Sequence, residues 1–455
     1  MEKKYYTIIA RATPLGQGSI GVIRISGNNI IDVIKHTLKL KYIKPKYANY
    51  LPFYYKNKII DKGIALWFPK PDSFTGEDIL ELQCHGNIIL MDLLINDIIL
   101  NINNIRIALP GEFSKRAFLN KKIDLTQAEA ISDIISANSK QAVFSSMNLM
   151  NGKFSLLIKN LQKIVIDIRV QIESFLEFNY EVNFSIICNN IIVKLQKILK
   201  FLKEIIKYVK NGIRIKEGIK IILIGPPNSG KSSLMNLITN KNISIVTNIP
   251  GTTRDILHEN IYFSSVPIEI IDTAGIRKTE NEIELIGIKK TLQTIKYANY
   301  IFLIVEDIIT KSSLSQIIES NLKNFRKKIP IVIIRNKIDL TNNNPEIIYK
   351  NDYVIIKLSI KNKTGISILT NFIKKNIIYI NNNEDQFTAR NRYIDSLNYI
   401  HKILIKGQKN FLKTYSLELI AEDLRLIQEN LDLITGKITS KNLLKNIFSQ
   451  FCVGK

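Results

Sequence analysis

GPPNSGKSS, running from Gly225 to Ser233, is the stretch on which the reading of this chain turns. The apolar run IKIILI (Ile219–Ile224) leads into it and SSLMNLIT leads out, so it sits at a strand-to-helix junction. Gly225 and Gly230 let the backbone curl with its N–H groups aimed inward at phosphate oxygens. Asn228, Ser229, Gly230, Lys231, Ser232 and Ser233 supply the rest of the cradle. Lys231 can reach the β- and γ-phosphates, and Ser232 offers its hydroxyl as a candidate ligand for Mg2+.

Four more signals follow, each beside an expected strand. The run VPIEII (Val266–Ile271) ends in Asp272-Thr273-Ala274-Gly275, where a carboxylate can hold Mg2+ through water and a glycine N–H can meet the γ-phosphate. Between the two lies the polar loop Pro250-Gly251-Thr252-Thr253-Arg254-Asp255, in the place of a nucleotide-sensing switch, with Thr247, Asn248 and Ile249 just before it as further candidate nucleotide contacts. Thr253 is the candidate second hydroxyl on Mg2+. PIVIIR (Pro330–Arg335) then delivers Asn336-Lys337-Ile338-Asp339. The carboxylate of Asp339 can accept from guanine N1–H and the exocyclic amine, a donor pair that adenine lacks. Last, Ser359-Ile360-Lys361 stands where such proteins close over the base, with Ile360 in place of the usual small residue. Alone, each piece reads equally as a helix start, a turn or a loop. In this order they define a guanine-nucleotide cassette and imply GTP hydrolysis.

The residue after Gly275 is Ile276, which cannot orient a water. Arg254, Arg277, Glu282, Glu284 and Asn228 are the candidates for that function and for offsetting phosphoryl charge, although an acid within ENEIELIG also reads as a solvated helix face.

Outside the cassette the pattern changes. Residues 1–120 alternate apolar and polar in short runs such as YYTIIA, GVIRIS and GIALWF, with one helical stretch near Ile88–Ile99, as expected of a small α+β domain. Residues 121–217 and 380–455 carry long 3.6-period patterns, Leu161–Phe178 and Leu417–Leu433 among them. The expected fold is multidomain α/β: an N-terminal α+β domain (1–120), a helical domain in two halves (121–217 and 380–455), and an inserted P-loop GTPase domain (218–379) with a Ras-like doubly wound sheet. Lys210–Lys220 and Asn381–Gln386 are the expected hinges, and Thr341–Glu346 an expected loop.

A chain of 455 residues accommodates about three domains. Cys84, Cys188 and Cys452 show no paired spacing, which excludes a disulfide framework and a cysteine-based zinc site. The start, MEKKYYTIIA, enters a strand pattern without room for a signal peptide, and no run approaches a membrane span, so a cytoplasmic protein is expected. A net charge of +24 suits a polyanion such as tRNA. The abundance of Ile, Asn and Lys also fits codon bias in an AT-rich genome, so charge alone decides little.

DTAGIRKTENEIELIGI, PNSGKSSLMN and IPGTTRD resemble the potassium-activated GTPases of the bacterial MnmE (TrmE) family. The likeness extends over the whole chain, from Thr7–Gly27, Ala65–Pro69 and Ser73–Glu81 through Pro110–Ser114 and Arg116–Leu125 to the closing FSQFCVGK. It implies K+ held by Asn228, Thr247, Ile249 (carbonyl) and Thr252, and a water-orienting Glu284 with Arg254 and Arg277 nearby. It implies a 5,10-methylene-tetrahydrofolate site (5-formyl-tetrahydrofolate as analogue) at Arg24, Glu81, Lys122 and Lys455, in a domain that also makes a homodimer. It further implies modification of tRNA wobble uridine at C5 to a carboxymethylaminomethyl or aminomethyl group, with the FAD-dependent MnmG (GidA) as partner in a heterotetramer. Cys452 reads either as a nucleophile or as a packing thiol. Three departures stand out: LEFNYEVNF (Leu176–Phe184) lacks a proline-and-acid-rich turn, His85-Gly86-Asn87 lacks a second glycine, and Glu306-Asp307 shifts a post-strand acid. The alternatives are an Era- or Der-like ribosome-assembly GTPase, which requires an RNA-binding module after the cassette, and a regulatory scaffold without folate chemistry.

Overall fold

The computed structural model describes residues 6–178, 184–241, 257–263, 266–272, 298–309, 329–377, 386–437, 441–449, 451 and 454. The chain divides into two compact units. One comprises residues 1–135, 149–203 and 395–455; the other comprises 136–148 and 204–394.

In the first unit, β1 (Thr7–Arg11), β2 (Gly18–Ser26), β3 (Asn49–Tyr55), β4 (Lys58–Phe68), β5 (Ile79–Gly86) and β6 (Ile105–Ile107) form a sheet in the order β3-β4-β5-β2-β1-β6. Alternation decides which face is buried. Ile23, Ile25, Leu80 and Leu82 pack with Leu94 and Ile98 of α2 (Ile88–Asn101), a second helix after the short α1 (Ile30–Val33). The departure at Asn87 has a local reason: its side chain caps α2, accepting from the N–H groups of Ile89 (2.9 Å) and Leu90 (3.2 Å). More helix is present than the single stretch expected, since α3 (Glu112–Leu119) also forms and is tied to the sheet through Arg116, which donates to Glu77 and to the Tyr6 carbonyl.

Helices follow: α4 (Leu125–Ser136), α5 (Lys140–Met150), α6 (Lys153–Phe178) and α7 (Phe184–Glu217). The buried residues Ile191, Leu195, Ile198, Leu202, Ile205 and Val209 trace one face of α7. The expected hinge at Lys210–Lys220 is corrected here, because α7 runs through it to Glu217. Gly212 does not break the helix; it lies against the Phe387 carbonyl and Ala389.

The second unit holds a sheet of β7 (Ile219–Ile224), β8 (Leu257–Phe263), β9 (Val266–Asp272), β10 (Tyr300–Glu306), β11 (Ile331–Asn336), β12 (Glu346–Tyr349) and β13 (Tyr353–Lys357), ordered β12-β13-β11-β10-β7-β9-β8. β9, β7, β10, β11 and β13 are parallel, with antiparallel strands at both edges. The parallel strands are nearly continuous apolar runs, as a sheet covered on both faces demands. Core residues lie on both faces: Leu223, Phe302 and Val332 belong to one cluster with Leu234 of α8 (Lys231–Lys241) and Leu369 of α9 (Ile366–Phe372), and Ile222, Leu303 and Ile333 belong to the other.

After the sheet come α10 (Asn391–Thr414), α11 (Leu417–Thr435) and α12 (Lys441–Ser449). Within the first unit the two helical stretches pack together. Gln162 of α6 donates to Asp432 of α11 at 2.8 Å, and Arg169 donates to Gln428 at 2.7 Å. Among the described residues, the segment that follows the sheet is therefore helical, where the Era- or Der-like alternative requires a separate RNA-binding module. Within the second unit, Asn148 donates to the Gln386 carbonyl (2.7 Å) and Thr388 N–H to the Ser145 carbonyl (3.2 Å).

Candidate nucleotide site

Every described cassette motif lies at the carboxyl end of a parallel strand, where open α/β sheets bind their ligands. β7 runs into the phosphate loop, β9 ends at Asp272 opposite Leu223, β11 ends at Asn336, and β13 leads to Ser359.

The phosphate loop departs from ordinary backbone at two points. Asn228 adopts φ 57° and Gly230 φ 101°. A Cβ on Gly230 would collide with Asn336 Nδ2, so glycine is required there by conformation and by space. The Lys231 ammonium donates to the carbonyls of Gly225 and Pro226, both at 2.9 Å, which holds the cation over the loop. The Ser229 hydroxyl is fully buried and has no hydrogen-bond partner among the described residues. That orphan fits a ligand with acceptor oxygens, as a phosphate is. Ser232 and Ser233 are exposed in the first turn of α8, where a helix N-terminus favours an anion. A hydroxyl at Ser232 and a carboxylate-bearing position at Asp272 are hard oxygen donors of the kind Mg2+ takes.

Asn336 is the hub of the base side. Its Nδ2 donates to the Ser229 carbonyl (2.9 Å), and its Oδ1 accepts from the Ile360 N–H (3.1 Å). One buried side chain thus joins the phosphate loop, the NKID turn and the SIK loop. The presence of Ile360 where a small residue was expected is explained by this geometry. The hub uses its backbone N–H, while its side chain belongs to the apolar cluster under the sheet. Lys337 takes the left-handed conformation (φ 67°) and pairs with Glu306. A short 3-10 turn, Ile338–Leu340, then presents Asp339. Ser359 Oγ donates to Asp339 Oδ1 at 2.5 Å, and this bond, with Lys361 and Lys337 nearby, holds the carboxyl below the usual range. Asp339 is therefore an oriented anion, ready to accept two donors from a base.

The structure also brings together part of the expected folate set. Arg24 and Glu81 face each other across β2 and β5, with Arg24 Nε donating to Glu81 Oε1 at 2.8 Å. Arg24 also reaches the Gly454 carbonyl at 3.5 Å and lies over the Phe113 ring. Lys122 lies against the Pro71–Gly76 loop, donating to the Pro71 carbonyl at 2.9 Å. Cys84 is a buried thiol, pushed up to about 11 by burial and the Asp61 carboxylate.

Thr247, Asn248, Ile249, Pro250, Gly251, Thr252, Thr253, Arg254, Thr273, Ala274, Gly275, Arg277, Glu282, Glu284, Cys452 and Lys455 lie outside the described residues. Of the expected K+ set only Asn228 is described, and of the Mg2+ set only Ser232. Two residues that organise the site escaped sequence reasoning. In the sequence Asp307 reads only as a shifted acid, and Asn343 only as part of a loop.

The parallel sheet, the phosphate loop and the Asn336–Asp339 turn define a P-loop GTPase. The profile of the MnmE helical domain matches residues 125–452, and that of the GTP-binding protein TrmE N-terminus matches residues 7–122. The chain is 42% identical over 453 residues to the tRNA modification GTPase MnmE of Proteus mirabilis, covering 99% of both chains. It is 41% identical over 451 residues to the protein of the same name from Pectobacterium atrosepticum, again covering 99% of both. Among solved structures, it is 22% identical to the G domain of the T. maritima FeoB iron transporter, covering 34% of this chain and 97% of that one, with a TM-score of 0.26. The chain belongs to the MnmE family of tRNA modification GTPases.

Proposed function

We propose that this GTPase modifies the wobble uridine of tRNA at C5, in a cytoplasmic homodimer that works with an FAD-dependent MnmG partner as a heterotetramer. The observation that carries the reading is the near-complete overlap with curated tRNA modification GTPases at 42% identity, joined to a guanine site whose described parts are assembled. In this reading 1–120 is the folate and dimerisation domain, 218–379 the GTPase, and 121–217 with 380–455 the helical domain.

Each described residue has a definite part. Asp339 selects guanine, and Asn336 keeps the base side in register with the phosphate loop. Lys231 and the α8 N-terminus balance phosphate charge. Ser232 with Thr253 would hold Mg2+, and Asn228 with Thr247, Ile249 and Thr252 would hold K+. The left-handed backbone at Asn228 (φ 57°), at the bend of the phosphate loop, supports that role. When bound, these cations would supply positive charge against the phosphoryl oxygens. Glu284, with Arg254 and Arg277 close in sequence to the switch segments, takes over the water positioning that Ile276 cannot perform. The Arg24–Glu81 pair supports a folate site, where Glu81 accepts the pterin amine and basic groups meet the glutamate tail, with a methylene-tetrahydrofolate as one-carbon donor.

Two measurements test this. GTP turnover is expected to be faster in K+ than in Na+ and to drop in Glu284→Ala with nucleotide affinity kept; equal rates in the two salts would overturn the cation mechanism. Mass spectrometry of tRNA nucleosides from cells lacking the protein is expected to show unmodified wobble uridine. Unaltered C5 modification there would end the proposal.

A further inference from the structure

Two adjacent acids at the end of β10 grip the guanine turn from below. β10 and β11 are parallel with Glu306 opposite Asn336, so the residue after Glu306 lies beneath the loop that leaves β11. Asp307 N–H donates to the Asn336 carbonyl at 2.8 Å, tying it to the start of the turn. Its carboxylate ties it to the end: Oδ2 accepts from Thr341 Oγ1 (2.7 Å) and Asn343 Nδ2 (2.5 Å). The Asp307 side chain has no exposed surface, and Arg335 Nε, 3.5 Å from Oδ1, balances its charge. The other arm of Arg335 donates to the Ile309 carbonyl, fixing the guanidinium. Glu306 meanwhile pairs with Lys337 on the flank of the same turn.

A five-residue excursion from Asn336 to Leu340, fastened at its start to the backbone N–H and at its end to the carboxylate of one buried residue, has little freedom left. Without it the end of the turn would lose its tether, and Asp339 would rest on the 3-10 bonds, the Ser359 contact and the anchors at Asn336 and Lys337 on the opposite side. We infer that Asp307 is a specificity-determining positioning residue, which fixes Asp339 where it can accept both guanine donors by clamping the two ends of the turn. Burying a carboxylate is costly unless it is fully partnered. For Asp307 the two hydrogen bonds both fall on Oδ2 and both come from the loop, while Oδ1 has only the Arg335 charge 3.5 Å away, so the cost of burial is tied to loop geometry. The inference rests on the guanine reading of this site.

The test is base discrimination, not affinity alone. GDP and IDP differ only in the exocyclic amine, so the ratio of their Kd values reports whether Asp339 still reaches that amine. In full-length Asp307→Ala the GDP preference is expected to shrink roughly tenfold, from loss of two hydrogen bonds that hold the reading carboxylate. Asp307→Asn, whose amide oxygen can still accept from Thr341 and Asn343, should keep the wild-type ratio within about threefold. Thr341→Val combined with Asn343→Ala removes the same bonds from the loop side, and should reproduce the loss even where Asp307→Ala folds poorly. A purely structural role would weaken GDP and IDP equally, so an unchanged ratio in both Asp307→Ala and the double variant overturns the inference. A wild-type protein that fails to distinguish GDP from IDP would instead remove the guanine reading on which it stands.

Discussion

Replacing Asn336 by alanine tests the hub directly. The substitution removes the bonds to the Ser229 carbonyl (2.9 Å) and the Ile360 N–H (3.1 Å), and both orphaned groups lie in a region where Asn336 itself is only 4% exposed. An unsatisfied buried group costs about 1–3 kcal/mol, so two give roughly 2–4 kcal/mol if water or relaxation recovers part of the loss. That cost falls on the arrangement in which phosphate loop, turn and SIK loop are mutually in place. Nucleotide affinity drops by the fraction of protein still in that arrangement, a factor of about 30 to 1,000. Asn336→Asp should be at least as damaging, since it keeps an acceptor for Ile360 but sets an oxygen against the Ser229 carbonyl. Ile360→Val, which preserves the backbone N–H, should stay within about twofold of wild type. Titration with a fluorescent GDP analogue and a parallel melting curve give the answer. GDP binding within threefold of wild type by a well-folded Asn336→Ala protein would refute the hub.

If Asp339 reads guanine as proposed, Asp339→Asn reverses half of that chemistry and should move preference from GTP toward XTP, measured by competition; retained GTP preference would contradict the assignment of Asp339. Gly212→Ala should destabilise the protein by about 1–2 kcal/mol in urea unfolding, because overpacking against the Phe387 carbonyl outweighs the roughly 1 kcal/mol that alanine gains as a helix former; a stabilised variant would argue against that contact. Glu112 is a half-buried pH-sensitive group of the N-terminal sheet domain. Burial raises its pKa, but bonds from Arg106 (2.6 and 2.8 Å), the Leu109 N–H and Arg116 more than compensate and leave it lowered. Protons therefore bind the unfolded state first, so its stabilisation is complete above the unfolded value of about 4.3 and is lost as pH falls through the folded value. Thermal melts should show that acid limb, and Glu112→Gln should flatten it.

How much of this was legible beforehand varies with the range of the interaction. The apolar run Ile219–Ile224 is β7 residue for residue, since a strand covered on both faces must be apolar throughout. Asn87 was also readable in principle, because an Asn directly before an apolar 3.6-period run is an N-cap signal. Gly212 misled in the other direction. Its helix-breaking tendency is local, whereas its reason for being there, the close approach of the Phe387 carbonyl, comes from 175 residues later in the chain. Asp307 bonds to Thr341 and Asn343, separated from it by 34 and 36 residues, and no spacing rule links an acid after one strand to a polar loop after the next. Ile360 looked like a defect in a motif only because the motif is written in side chains while the structure uses the backbone N–H.

In the proposed site the same hub would make base and phosphate recognition one event, and that coupling can be measured. Ser359→Ala removes the hydroxyl that orients Asp339, and Ser229→Ala removes the buried orphan hydroxyl of the phosphate loop; the two changes touch opposite ends of the site. If the loops were independent, their effects on GDP affinity would add. Because Asn336 bonds to the Ser229 carbonyl on one side and to Ile360, the neighbour of Ser359, on the other, a shift of either loop is passed to the other through a rigid amide. Residues that share such a network couple by about 0.5–3 kcal/mol. The double-mutant cycle should therefore close with a residual of that size in the wild-type background and with essentially none once Asn336 is alanine. Additivity in both backgrounds would mean that the phosphate loop and the base loops find their places separately, and that the amide between them only fills space.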